Sequence, residues 1–406
     1  VKKILYTFYT KSLYDFIETT ITRIYKRLGD GSLPDFENKL HIRHAWGGAQ
    51  LPGVYYSTCK NNGVSPKPYM QFGNGRSQEQ FDKICSELLE KNAGILKKEY
   101  DYVLMDEAQD FEASFYQVCR AIVKNDCLVW CYDDLQNIFE VDNKDNINLF
   151  KNEFGAKGID LKELNEGKDG ISNDITLPII YRNPHEILML AHAIDFGIYR
   201  ESGLIQYYTT IEDWVSRGYK FIEGDLNSGK TVVIERVPEN RPSLISKCQS
   251  PEQIIEIKSF NNKDSEVQWV AESIINNIQN EEILPDDILV IGVHGKIPKK
   301  IFEQINDILN EKNINTYNVD DNSYTKGFFK KDHVTFSSIN RAKGNEAAIV
   351  YVIGINKIEE DMGETVKLDN IPDFDKTYTG GSLGYNIFSW MYASFLGCKF
   401  SAFNQR

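Results

Sequence analysis

Two acids follow an apolar run in YDYVLMDEAQD, residues 100–110. Val103, Leu104 and Met105 have the character of a buried strand, and Asp106 and Glu107 fall at its carboxyl end. Ligands of open parallel sheets gather at that end. An aspartate there can hold Mg²⁺ through its oxygens, and the next glutamate can orient or deprotonate an attacking water. A solvated acidic loop is the plainer reading of two acids alone. The whole string DEAQD behind an apolar strand is far more specific.

Such a site needs a sheet to carry it, and the flanking sequence supplies one. KILYTFY (3–9), HIRHAW (41–46) and CLVWCYDD (127–134) read as strands. The stretches 12–28, 78–92 and 111–125 have amphipathic helical spacing, while 51–77 is rich in Gly, Pro, Asn and Tyr and reads as loop or insertion. Strands alternating with helices predict a parallel sheet with crossover helices. A polar stretch at 140–175 separates this set from a second. There, helices are predicted over 181–194, 265–280 and 299–313, and strands over 286–295, 334–339 and 347–355. The region 200–260 reads as strand-rich and inserted.

The 406 residues allow two domains, each with its own core. Apolar residues make up 41% and charged residues 26%, as in ordinary globular chains. A net charge of −13 removes the simplest argument for a polyanionic partner, though acidic proteins can confine positive charge to a groove. The seven cysteines are odd in number, scattered, and form no C-x-x-C pair, which predicts free thiols in a reducing cytoplasm. No apolar run reaches the length of a membrane span.

The string DEAQD after its strand resembles the Walker B signature of UvrD/Rep-like superfamily 1 helicases. Other segments agree in order. CLVWCYDDLQNIF (127–139) resembles the next motif, with Asp133 or Asp134 near its acid and Gln136 at its phosphate-sensing glutamine; the family glycine before the acid is replaced. LPIIYRNP (177–184) resembles the motif that opens the second motor domain. Arg182 matches its γ-phosphate arginine, and Ile180 replaces its asparagine. VTFSSINRAKGNEAAIVYVIG (334–354) resembles motif V, with Gly344 and Glu346 at nucleotide-touching positions and Ser337, Ser338 and Arg341 where the family meets the DNA backbone. YTFYTKSL (6–13) and HIRHAWGG (41–48) resemble motifs Ia and Ib. They offer Tyr9, Thr10, Arg43, His44 and Trp46 to a single strand. Ring faces of this kind contribute roughly 1–3 kcal/mol per stacked base.

The resemblance covers about residues 1–355. It implies two RecA-like parallel-sheet α/β domains, 1–175 and 176–406, the first with an insertion at about 51–98. The second carries a β-rich insertion at about 200–260 and an atypical tail from about 356. It implies ATP and Mg²⁺ as cofactors, with Asp106 as the metal ligand, and single-stranded or partly duplex DNA as partner. The implied catalytic set is Asp106, Glu107, Gln136 and Arg182.

One motif conflicts with this layout. Gly224 to Thr231 (GDLNSGKT) satisfies the G-x-x-x-x-G-K-[ST] phosphate-loop pattern. Alternating flanks and Asn-Ser-Gly turn chemistry predict a hairpin instead. The resemblance places the family's phosphate loop ahead of motif Ia, and the sequence opens at motif Ia. After residue 355 Arg406 is the sole arginine, so the family's last motif has no match. A fragment is therefore expected. A non-hydrolysing remnant that only binds nucleic acid or protein is the second reading.

Overall fold

The computed structural model describes residues 2–68, 77–133, 149–150, 158, 174–196, 198, 204, 207–227, 230–293, 298–321 and 327–354, and three further strands at 365–367, 377–379 and 398–403. Two compact units divide the chain, Val1–Ile175 and Thr176–Arg406.

The first unit holds strands β1 (Ile4–Phe8), β2 (Leu40–His44), β3 (Tyr102–Met105) and β4 (Leu128–Trp130). They form one parallel sheet in the order β2-β1-β3-β4. Its helices are α1 (Tyr14–Leu28), α2 (Val54–Asn61), α3 (Ser77–Asn92) and α4 (Ala113–Ile122). Strand alternation sends Leu5, Val103 and Met105 to one face. There they pack with Phe81, Ile84 and Leu88 of α3 and Phe115, Cys119 and Ile122 of α4. The opposite face of β1 buries Phe8 against Leu13, Tyr14 and Ile17 of the α1 region. Helix α2 lies in the stretch whose composition suggested loop. Its Val54, Tyr55 and Cys59 are core residues, so an apolar face outweighs the flanking Gly and Pro.

The second unit opens with α5 (His185–Asp195), the short α6 (Ile211–Ser216) and an antiparallel hairpin, β5 (Tyr219–Gly224) and β6 (Val232–Arg236). Then come β7 (Ile255–Phe260), α7 (Lys263–Gln279), β8 (Ile288–Gly292), α8 (Pro298–Glu311), β9 (Thr316–Asn318), β10 (Val334–Ser338), the single-turn α9 (Ile339–Ala342) and β11 (Ile349–Ile353). The tail supplies a second antiparallel pair, β12 (Thr365–Lys367) with β13 (Thr377–Thr379), and then β14 (Cys398–Phe403). Six strands form a parallel sheet ordered β7-β14-β11-β8-β10-β9. Every residue of β8 is buried, as in a central strand covered on both faces. Helices α7 and α8 pack Val270, Ile274, Ile305 and Leu309 onto Val290, Phe336 and Tyr351. Asn262 caps α7, its side chain accepting the Ser265 N–H at 2.8 Å.

Both units are thus parallel-sheet α/β domains of RecA-like type, and the second carries the inserted hairpin. Within the region expected to be strand-rich, the described residues give the hairpin and β7, with α6 and the helical turns Ile245–Cys248 and Pro251–Ile254 among them. The tail strand β14 lies inside the second sheet, between β7 and β11. Six cysteines of the described residues are free thiols. No helix among the described residues is long and apolar enough to cross a membrane.

Candidate active site and nucleic-acid interface

Asp106 and Glu107 leave the carboxyl end of β3 on a turn tied to both neighbouring strands. The Asp106 N–H donates to the Thr7 carbonyl at 2.8 Å. The Ala108 N–H donates to the Cys131 carbonyl at 2.8 Å, and the Tyr116 hydroxyl donates to the Ala108 carbonyl at 2.7 Å. Glu107 is held in the left-handed region at φ 51°, ψ 45°. For a residue with a β-carbon this costs on the order of 1–3 kcal/mol, and such strain gathers at functional sites.

Side chains complete the arrangement. The Tyr6 hydroxyl donates to Asp106 Oδ2 at 2.7 Å, and the Glu107 N–H donates to Asp106 Oδ1 at 3.0 Å. Gln109 Nε2 donates to Glu107 Oε2 at 2.6 Å, while its Oε1 accepts the Asp133 N–H at 3.1 Å. Gln109 therefore links Glu107 to the chain leaving β4. Burial, then the Asp106 charge, pushes the Tyr6 phenol far above its usual range, so it stays a donor. Burial, with Asp106 and Glu107, raises the Cys131 thiol as well. Tyr6 and Gln109 were absent from the expected site: the Tyr6 bond to Asp106 spans 100 residues, the Gln109 bond to Asp133 spans 24, and neither leaves a periodic trace. Gln136 lies outside the described residues.

The residues expected to meet nucleic acid in this unit divide by burial. Tyr9 and Thr10 are half-buried just past β1, with the Tyr9 ring 5.7 Å from that of Phe111. Arg43 is half-buried and donates to the Tyr100 hydroxyl at 3.2 Å. Trp46 lies 5.2 Å from Phe81 and donates through Nε1 to the Lys67 carbonyl at 3.1 Å. His44 is buried, its Nδ1 3.0 Å from the Tyr14 hydroxyl, and burial pushes its imidazole down to about 3. The Trp46 turn depends on Gly47. Its φ is +79°, and a β-carbon there would stand 1.8 Å from the Gly53 nitrogen.

The second unit holds the remaining candidates at the end of β10 and just beyond it, together with Arg182. Ser337 is buried, and its hydroxyl donates to the Ser338 carbonyl at 3.0 Å. Asp320 grips Ser338 twice: Oδ2 accepts its N–H at 2.7 Å and Oδ1 its hydroxyl at 2.9 Å. Arg341 Nη1 donates to the neighbouring Val319 carbonyl. Gly344 takes φ +81°, turning the chain toward β11. Glu346, just beyond that turn, meets Arg182, with Nε to Oε1 at 2.5 Å. Two residues placed in separate motifs thus share one ion pair. Asp320 was missed as well, since its only sequence signal is an acid 18 residues upstream.

Of the phosphate-loop match at 224–231, Gly224 ends β5 and the chain after Lys230 runs into β6, while Ser228 and Gly229 lie outside the described residues. A cradle of that type must open a helix so that backbone N–H groups converge on the phosphates. Strand β6 stands where that helix would begin.

No family model matches the chain, and no curated protein matches it. Among solved structures, it aligns with one described as a DEAD-box helicase Mss116 bound to ssRNA and UDP-BeF, at 9% identity and a TM-score of 0.39. The alignment covers 99% of this chain and 59% of that one. T4 UvsW aligns at 10% identity and a TM-score of 0.21, over 99% and 58%. The chain therefore spans less than two thirds of either protein's length. Its functional reading rests on its own residues.

Proposed function

We propose that this chain is an ATP-dependent motor of the UvrD/Rep helicase type that moves along single-stranded nucleic acid. The observation that carries the reading is the pair Asp106–Glu107 on a braced turn at the carboxyl end of β3, with Glu107 in a strained conformation. Mg²⁺ takes hard oxygen donors, one or two carboxylates beside nucleotide phosphates and water, and Asp106 fits that role. Among the described residues no cluster of three or more potential ligands forms a protein cage, and this coordination needs none. The ion, when bound, neutralises charge that develops on the transferred phosphoryl group.

Glu107 then serves as the group that orients the attacking water and takes its proton, with Gln109 holding its carboxylate. Gln136 and Arg182 answer to the terminal phosphate, and such an arginine contributes on the order of 10³–10⁵ in rate. Gly344 and Glu346 form the nucleotide edge of the second unit. Tyr9, Thr10, Arg43 and Trp46 of the first unit and Ser338 and Arg341 of the second each offer hydroxyls, cations or rings to single-stranded DNA, with Ser337 bonded to Ser338 and His44 buried against Tyr14.

A specific observation favours a second reading. The phosphate-loop match is flanked by two paired strands, β5 ending at Gly224 and β6 beginning at Val232, rather than by a strand and a helix. On that reading the chain binds nucleic acid without hydrolysing ATP. ATP hydrolysis by the full chain, measured with and without a single-stranded oligonucleotide, separates the two. Stimulated turnover that Glu107→Gln abolishes supports the motor. Oligonucleotide binding without turnover supports the remnant, and absence of both removes each.

A further inference from the structure

We propose that Tyr6 is a positioning residue for Asp106, its phenol fixing the carboxylate in the orientation that a divalent cation meets. The inference rests on the reading of Asp106 as the cation's carboxylate.

The geometry follows from register. Tyr6 pairs with Leu104 across parallel strands β1 and β3, so Asp106 lies two residues further along the same edge. Two strand residues advance about 6.6 Å, within reach of a tyrosine ring and its hydroxyl. The Asp106 backbone is fixed by its N–H bond to Thr7 at 2.8 Å. Each carboxylate oxygen then receives a donor of its own, Oδ2 from the Tyr6 hydroxyl at 2.7 Å and Oδ1 from the Glu107 N–H at 3.0 Å. An aspartate side chain turns about two torsions. Donors on both oxygens, one from β1 and one from the next residue of the chain, select a single setting of them.

The residue type is informative. Ile4 and Phe8 share Tyr6's face of β1, and the Tyr6 ring lies 6.4 Å from that of Phe8. A phenylalanine would serve that apolar contact equally well, so among the described residues it is the bond to Asp106 that accounts for the hydroxyl. Groups that hydrogen-bond a metal's carboxylate set its orientation, and their loss typically weakens metal affinity about 10–100-fold.

The test uses Mn²⁺ as the probe, its free concentration read by electron paramagnetic resonance during titration of the full chain. Wild type, Tyr6→Phe and Asp106→Asn are compared, and a thermal melt of each variant checks the fold. Saturable Mn²⁺ binding that Asp106→Asn abolishes and Tyr6→Phe weakens roughly 10-fold, with an unchanged melt, supports the inference. Binding lost in Asp106→Asn yet wild-type in Tyr6→Phe overturns it while leaving the motor reading in place. Binding unchanged in Asp106→Asn overturns the assignment of Asp106, and the inference falls with it.

Discussion

Arg182 and Glu346, 164 residues apart in the chain, meet as an ion pair in the second unit, Nε to Oε1 at 2.5 Å. Both side chains are about one third exposed, at 38% and 32%, so solvent screens the pair. Its expected contribution to stability is below about 1 kcal/mol. Arg182→Ala should therefore barely move a urea midpoint, yet reduce nucleic-acid-stimulated ATP turnover on the order of 10³-fold. Glu346→Gln should leave turnover nearer wild type and raise KM. A midpoint shift well beyond 1 kcal/mol with intact turnover would make the pair structural.

Asp320 should control the order of the turn after β10. Asp320→Ala removes both acceptors of Ser338, and the Ser338 amide should then exchange with solvent faster by about an order of magnitude. Hydrogen exchange read by mass spectrometry over 334–346 checks this. Unchanged protection would mean that Arg341, through Val319, is enough to hold the turn.

Arg236 anchors the inserted hairpin. It is 2% exposed and donates to the carbonyls of Arg217 at 2.7 Å, Pro178 at 2.5 Å and Asn240 at 3.3 Å. Arg236→Met leaves those carbonyls without this donor, at a cost of about 3 kcal/mol or more. Trp214 is buried 5.3 Å from Tyr219, so its fluorescence should report the loss as a lower urea midpoint. An unchanged midpoint would show that the hairpin is held by its apolar contacts.

Two buried histidines predict acid sensitivity. Burial pushes His44 down to about 3, helped by Lys11, and His192 down to about 3, helped by Arg236. Their ordinary value is 6.5, so between 6.5 and about 3 the unfolded chain binds protons that the folded chain refuses. Stability from these groups is present above pH 6.5 and falls as pH drops through that window. Melting temperature against pH should show the decline. His192→Phe should flatten it, and an equally steep curve in that variant would remove His192 as a cause.

How much could be read in advance followed from how each feature is encoded. Strands β1, β3, β8 and β11 were legible because central parallel strands are apolar runs, and DEAQD because its residues are contiguous. His44 was read as an accessible cation. Alternation along β2 instead buries it beside Tyr14, a consequence of α1 packing on that face. Strand β14 was hidden because CKFSAF is not a continuous apolar run and its partners lie 143 and 48 residues upstream, Cys398 pairing with Ile255 and Val350. Tyr6, Gln109 and Asp320 act through one or two hydrogen bonds each, which spacing does not reveal.

Strand separation tests the central claim most directly. A partly duplex DNA with a single-stranded overhang is incubated with wild type or Glu107→Gln, with and without ATP and Mg²⁺. The motor reading predicts separation by wild type that requires ATP, lost in Glu107→Gln while overhang binding persists. Separation that proceeds without ATP, or equally well in Glu107→Gln, would contradict it.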